Sequence, residues 1–217
     1  MNGYLASPGE PVVIVGPAVE PITAFEAKAQ CRIDVSDYSQ DELLNIYIAA
    51  ARDYIEWRAG MAIHEQTLEI ALDYWLYCNY QGSIVLPRAT PLIAVDSVKY
   101  VDSDGLETTW AANQYVVDTK ARPGSIAPAY GVTFPSFIPQ STSAVRIRYR
   151  AGIATASPIT EAGSDVKYPM LLLVAGMYEN RESEVVPDRP GVGFIAGQYA
   201  VEAFIDRLQS RAGSYAF

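Results

Sequence analysis

The residues of this chain that could do chemistry are few and poorly grouped. His64 is the only histidine, so an imidazole-based metal site would need carboxylates or thiols to complete it. No ligand spacing surrounds it, and a packed or strand-edge histidine is the expected role. A Ser-His-Asp arrangement would have to use the same residue, and no nucleophile elbow is present. Asp102-Ser103-Asp104-Gly105 resembles the start of a calcium loop, but the glutamate that closes such a loop is missing, so a hairpin turn is expected. Gly191-Val192-Gly193 lacks both the third glycine and the preceding strand of a dinucleotide fingerprint, and no Walker A motif occurs. Glu179, Glu182 and Glu184 gather with Arg181 near a helix end. Paired carboxylates are the equipment of glycoside hydrolysis, but a solvated helix end or an intersubunit ion pair is the plainer reading. Cys31 and Cys78 are too few for a disulfide framework and lack metal spacing, which points to two reduced, half-buried thiols and a cytoplasmic folding environment. No catalytic residue, cofactor site or metal site is expected.

The elements that would carry such residues fall into a helical pattern interrupted by about a hundred residues of β pattern. Residues 1–20 read as an extended arm, since Pro8, Pro11, Pro17 and Pro21 remove donors and favour extended backbone. Within the arm, Val12-Val13-Ile14-Val15 could pair as a strand, on a neighbouring subunit for example, or remain in a mobile tail. Thr23 with Glu26 forms a capping box, with Ile22 at the staple position, and opens a helix over 24–32. A polar connection at 34–37 leads to a second helix over 40–59, stopped by Gly60. Its apolar positions Leu44, Tyr47, Ile48, Ala51, Tyr54, Ile55 and the stem of Arg58 follow the i, i+3, i+4, i+7 rule. Asp41, Glu42, Asn45, Arg52, Asp53 and Glu56 are expected on the opposite face.

The period then changes to two. Strands are expected at 67–73, 97–101 and 106–110, the last two joined by the 102–105 turn, with shorter ones at 84–86, 115–118, 125–127 and 144–149. Residues 121–140 read as loop. The helical pattern resumes over 165–183 behind Ser164 or Asp165 as N-cap, with Pro169 near the first turn. Met170 to Val174, Met177 and Tyr178 make this helix apolar nearly all round and therefore the most buried element expected. A hinge over 187–197 precedes an amphipathic helix over 199–211, and the chain closes in Tyr215-Ala216-Phe217. The fold class is α+β: a helical core (21–62 and 163–186), an inserted antiparallel β-rich module (63–162), the arm (1–20), and a hinge with a C-terminal partner-docking helix (187–217).

Composition narrows the function. Half of the 217 residues are hydrophobic and 19% charged, which is a globular balance. The net charge of −9 argues against a phosphate-gripping surface but does not exclude one that nucleic acid slides past. The N-terminus has no basic n-region or apolar h-region, so no signal peptide is expected, and apolar runs fall short of the ~20 residues a membrane span needs. Fifteen tyrosines fit a surface built for protein contacts.

Several segments, taken in order, resemble one family. They are Pro21-Ile22-Thr23-Ala24-Phe25-Glu26-Ala27-Lys28, Arg32-Ile33-Asp34, and Ile48-Ala49-Ala50-Ala51-Arg52-Asp53-Tyr54-Ile55-Glu56. Gln66-Thr67-Leu68, Leu86-Pro87-Arg88, Pro91-Leu92 and Val98-Lys99-Tyr100-Val101-Asp102-Ser103-Asp104-Gly105 continue the series. Leu171-Leu172-Leu173-Val174-Ala175, Tyr178-Glu179-Asn180-Arg181-Glu182 and Ala200-Val201-Glu202-Ala203-Phe204 close it. Together they look like the tailed-phage head–tail connector proteins, the gp6-like and phiE125 gp8-like adaptors also found in gene transfer agents. The arm, the 121–140 loop and the tail after Gly213 depart from that pattern.

The resemblance implies a structural, non-enzymatic virion protein made in the host cytoplasm and placed in the neck. It implies a ring, twelve copies by expectation, beneath the portal protein, meeting a stopper or tail-completion protein on its other face. DNA would pass through without specific binding, and no membrane is involved. Similar proteins reach the portal with their C-terminal segment, so Tyr199, Phe204, Ile205, Leu208, Tyr215 and Phe217 are the expected portal anchor. Leu44, Tyr47, Ile48, Ile55, Leu173, Met177 and Tyr178 are the expected ring and core packing residues, and acidic residues of the second helix or the β turns are expected to line the channel. The alternatives are a small carboxylate-dependent hydrolase and a monomeric β-rich ligand-binding module.

Overall fold

The computed structural model describes residues 10–73, 75, 82–136, 143–153, 163–180 and 192–213, the last stretch by its backbone alone up to residue 199. Helices and antiparallel sheets make a mixed α+β chain of two compact units. A helical unit comprises Val19–Ala59 and Ala156–Arg211; a β unit comprises Met1–Ala18, Gly60–Thr155 and Ala212–Phe217.

In the helical unit, α1 (Ala24–Cys31) begins where the capping box predicts. The Thr23 hydroxyl accepts the Glu26 N–H at 3.2 Å, and the Glu26 carboxylate accepts the Thr23 N–H at 2.8 Å. Two of the helix's orphan donors are thereby satisfied. It ends at Arg32, whose left-handed backbone (φ 57°) turns the chain out of the helix. Helix α2 (Asp41–Ala59) buries Leu44, Ile48, Ala51, Ile55 and Ala59 along one stripe. Tyr47 is half-buried and Tyr54 is exposed, so the apolar face is narrower than its sequence pattern.

Arg52 and Glu56, expected on the solvent face, are buried. Arg52 donates to Glu20 at 2.9 Å and to Asp53 at 2.7 Å, and lies 3.4 Å from the Glu56 carboxylate one turn on. A single guanidinium has enough donors to satisfy several carboxylates at once, which lets a charged flank enter the interior. Burial works against the Arg52 charge, but the hydrogen bond and charge of Glu20, helped by Glu56 and Asp53, outweigh it and hold its pKa above the ordinary value.

Helix α3 (Gly163–Glu179) starts earlier than the sequence suggests, which places Pro169 in its second turn. It is not the most buried element. Val166, Pro169, Met170 and Val174 are buried, whereas Leu171, Leu172, Leu173, Met177 and Tyr178 are half-buried and Tyr168 is exposed. Helix α4 (Val192–Ala212) also starts earlier, so Gly193 and Gly197, read as hinge, lie inside it. Ion pairs tie the helices together: Lys167 to Glu26 at 2.7 Å, Arg58 to Glu202 at 2.5 Å, and Arg211 to Asp165 at 2.8 Å.

The β unit holds a five-stranded antiparallel sheet in the order β1 (Val12–Val15), β2 (Gln66–Leu72), β8 (Val145–Ala151), β4 (Leu92–Val101), β5 (Glu107–Thr109). A second sheet runs β3 (Ile84–Val85), β7 (Ser125–Pro128), β6 (Tyr115–Asp118). Strands β2 and β8 pair over their full lengths, and their alternation sends Leu68, Ile70, Leu72, Val145, Ile147 and Tyr149 inward. These join Trp75, Trp110 and Ile126 in one core, where the Trp75 ring meets Trp110 edge-on at 5.4 Å and stacks on Phe134 at 5.2 Å. The arm segment 12–15 is a strand within its own chain, antiparallel to β2.

Candidate assembly surfaces

The side chains singled out for chemistry are engaged structurally. His64 is buried, and its backbone forms a parallel bridge with Ile153. Among the described residues no group of three His, Cys, Asp or Glu could hold a metal ion. Asp102 is committed to its turn: its carboxylate accepts the Asp104 and Leu106 N–H groups at 3.0 Å and the Thr108 hydroxyl at 2.9 Å. Those bonds, Leu106 foremost, hold its pKa below the usual carboxylate range. Glu179 is exposed at the end of α3, while Glu182 and Glu184 lie outside the described residues, as do Gly191 and Cys78. Cys31 is half-buried, and burial followed by the Glu179 charge pushes its thiol pKa up, away from reactivity.

What the helical unit does offer is exposed apolar surface. On α2, Ile46, Ala50, Tyr54 and Trp57 repeat at i, i+4, i+8 and i+11 and are all exposed, with Trp57 at 59%. This second stripe lies opposite the core stripe, and Tyr54, which the spacing assigns to the core face, belongs to it. Tyr54 and Trp57 pack ring to ring at 6.4 Å, and the Tyr54 hydroxyl donates to Glu202 at 3.2 Å. Helix α3 adds the half-covered row of Leu171, Leu172, Leu173, Met177 and Tyr178.

The expected portal anchor divides. Ile205 and Leu208 are buried with Val201 along one stripe of α4. Their i, i+4, i+7 spacing identified the apolar face but could not say which molecule covers it. Phe204 is half-buried and stands edge-on to Tyr168 at 5.4 Å. The Tyr199 side chain, Tyr215 and Phe217 lie outside the described residues. Beyond residue 199, α4 exposes Asp206, Arg207, Ser210 and Arg211.

Charge is unevenly spread. The outer face of the five-stranded sheet is balanced: Arg146, Arg148, Arg150 and Lys99 stand among Glu107, Glu69, Glu65 and Asp96. The α1–α2 connection is not. Between residues 33 and 51 stand Asp34, Asp37, Asp41 and Glu42 with no lysine or arginine. Asp34 accepts the Ser36 hydroxyl at 2.7 Å and its N–H at 2.8 Å, and Asp37 accepts the Ser39 N–H at 2.9 Å, bonds that lower both pKa values and keep the loop anionic. Beneath it the buried Lys28 ammonium lies 2.5 Å from Asp41, donates to the Val35 carbonyl at 3.3 Å and sits 4.6 Å from the Tyr38 ring centroid.

Residues 22–101 match the family model described as phage gp6-like head–tail connector protein. The fold is similar to a chain in the neck of an empty GTA particle computed with C6 symmetry, at TM-score 0.68 and 24% identity over 93% of this chain and 95% of that one. It is similar to a chain of the virion of a native gene transfer agent (GTA) particle, at 0.67 and 23% over the same shares. A chain in the neck of a native GTA particle computed with C12 symmetry matches at 0.60 and 25%, over 91% of this chain and 94% of that one. No curated protein matches the chain.

Proposed function

We propose that this chain is a head–tail connector, a structural protein of the virion neck that joins a DNA-filled capsid to its tail and continues the DNA channel. The observation that carries this reading is a likeness in fold, spanning over nine-tenths of each chain, to neck proteins of GTA particles. The connector family model over residues 22–101 supports it independently.

Copies stand side by side in a ring, twelve by the C12 precedent of the similar neck. The exposed stripe of α2 in one copy meets the half-covered face of α3 in the next, so that Leu173, Met177 and Tyr178 finish their burial on assembly. The ring sits on the portal protein through Phe204 and the aromatic residues Tyr199, Tyr215 and Phe217; Ile205 and Leu208 contribute by fixing α4 in its own unit. The opposite face receives a stopper or tail-completion protein. DNA passes without being held, which the anionic 34–42 segment and the overall charge of −9 favour.

The test is co-assembly with purified portal rings, followed by electron microscopy and mass measurement. The full chain is expected to dock as a ring. A chain shortened after Gly213 is expected to keep its melting temperature and lose docking. Removing residues 198–217, by contrast, would delete the buried Val201, Ile205 and Leu208 and damage the fold. A full-length chain that stays monomeric beside intact portal rings refutes the proposal.

A further inference from the structure

The five-stranded sheet has two unlike edges. At one end is β1, whose four residues are all apolar and all exposed, from 42% for Ile14 to 64% for Val12. It pairs with β2 on one side, and among the described residues nothing pairs with its other side. No charged side chain lies along that edge. The other end carries charge, with its carboxylates and cations already paired. At β5, Glu107 binds Lys99 at 2.8 Å and also pairs with Arg146, and Asp102 closes the adjoining turn. Each successive pair in the sheet is antiparallel, so β1 and β5 point the same way.

We infer that β1 is an assembly edge whose occupant is the β5 end of a second copy, the two joining as a parallel pair that continues the sheet from one subunit to the next. The inference rests on the ring reading, because a head-to-tail contact needs two different edges on each chain and closes only in a cyclic assembly. Backbone groups left open on β1 find donors and acceptors on Glu107, Thr108 and Thr109, which gives the contact its direction. The Glu107 charge is already neutralised by its two cations, so it does not repel an apolar neighbour. Leu106, 65% exposed beside β5, supplies apolar surface for the valines of β1.

Cross-linking tests this on assembled rings. With Cys31 and Cys78 replaced by serine, the pair Val13→Cys and Thr109→Cys treated with a short bis-maleimide is expected to give a ladder of dimers, trimers and higher species. Each single variant is expected to stay monomeric on the denaturing gel. Val15→Cys with Thr109→Cys serves as a second pair if the first impairs folding. Rings that form but yield no ladder with either pair overturn the edge contact and leave the ring reading standing. Dimers from Val13→Cys alone overturn it in favour of a symmetric β1–β1 contact. Failure of the unsubstituted protein to form any ring brings down both.

Discussion

Replacing Trp57 with alanine is the sharpest test of the α2 stripe. A buried tryptophan covers about 150–250 Å², and Trp57 leaves 59% of its surface exposed in the isolated chain. Subunit contact could therefore remove about 90–150 Å² more from water, or about 2–4 kcal/mol per interface at 25 cal/mol per Å². This is an upper estimate, since it assumes complete burial in the ring. The covered part of the ring, about 60–100 Å², is worth about 1.5–2.5 kcal/mol to the fold itself by the same coefficient. Ring formation with portal, followed by mass measurement against protein concentration, should shift its midpoint by about tenfold, the equivalent of about 1.4 kcal/mol. The control is Val174→Ala, a fully buried site on α3, which should cost about 1–3 kcal/mol of stability without a comparable effect on assembly. If Trp57→Ala assembles at the wild-type midpoint, the stripe is not a subunit contact and the reasoning from exposure fails.

Three further outcomes are expected. Gly152 has φ 108°, and a Cβ there would lie 2.0 Å from the His64 carbonyl oxygen; Gly152→Ala should destabilise the β unit by about 3 kcal/mol or more in urea unfolding followed by tryptophan fluorescence. Lys28→Met should cost about 2 kcal/mol, because it leaves the Asp41 carboxylate without its cation, and should speed hydrogen exchange over 35–40 as the loop loses its anchor. The carboxyls of Asp34, Asp37, Asp102 and Glu107 all have lowered pKa values. The unfolded chain therefore binds their protons first as pH falls, so their stabilisation is complete above about pH 5 and disappears as pH drops through the folded values. Melting temperature should fall below about pH 4, and Asp102→Ala should flatten part of that dependence.

Where an element's energy is settled within a few residues, the sequence was enough. Thr23 and Glu26 satisfy each other's backbone groups across three positions, so the start of α1 needed no tertiary information. Asp102 folds its own turn around Gly105, and the short β-prone run Tyr115 to Asp118 is β6 at its expected bounds. Residue spacing also marked the apolar stripes of α2 and α4. It could not say what would cover them, because burial is a property of two surfaces that lie far apart in the chain. Arg52 and Glu56 look like solvent-face charges until Glu20, thirty-two residues earlier, supplies the partner that draws them inside. Leu171 to Leu173 look like the deepest core until the packing leaves one side of α3 half-covered. Ile205 and Leu208 look available to a partner until α4 docks in its own unit. The local code thus marked most helices, strands and turns, though not the early start of α4 or the first half of β4. Tertiary packing alone decided which apolar faces are used up within the chain and which, on α2, α3 and β1, stay wholly or partly exposed.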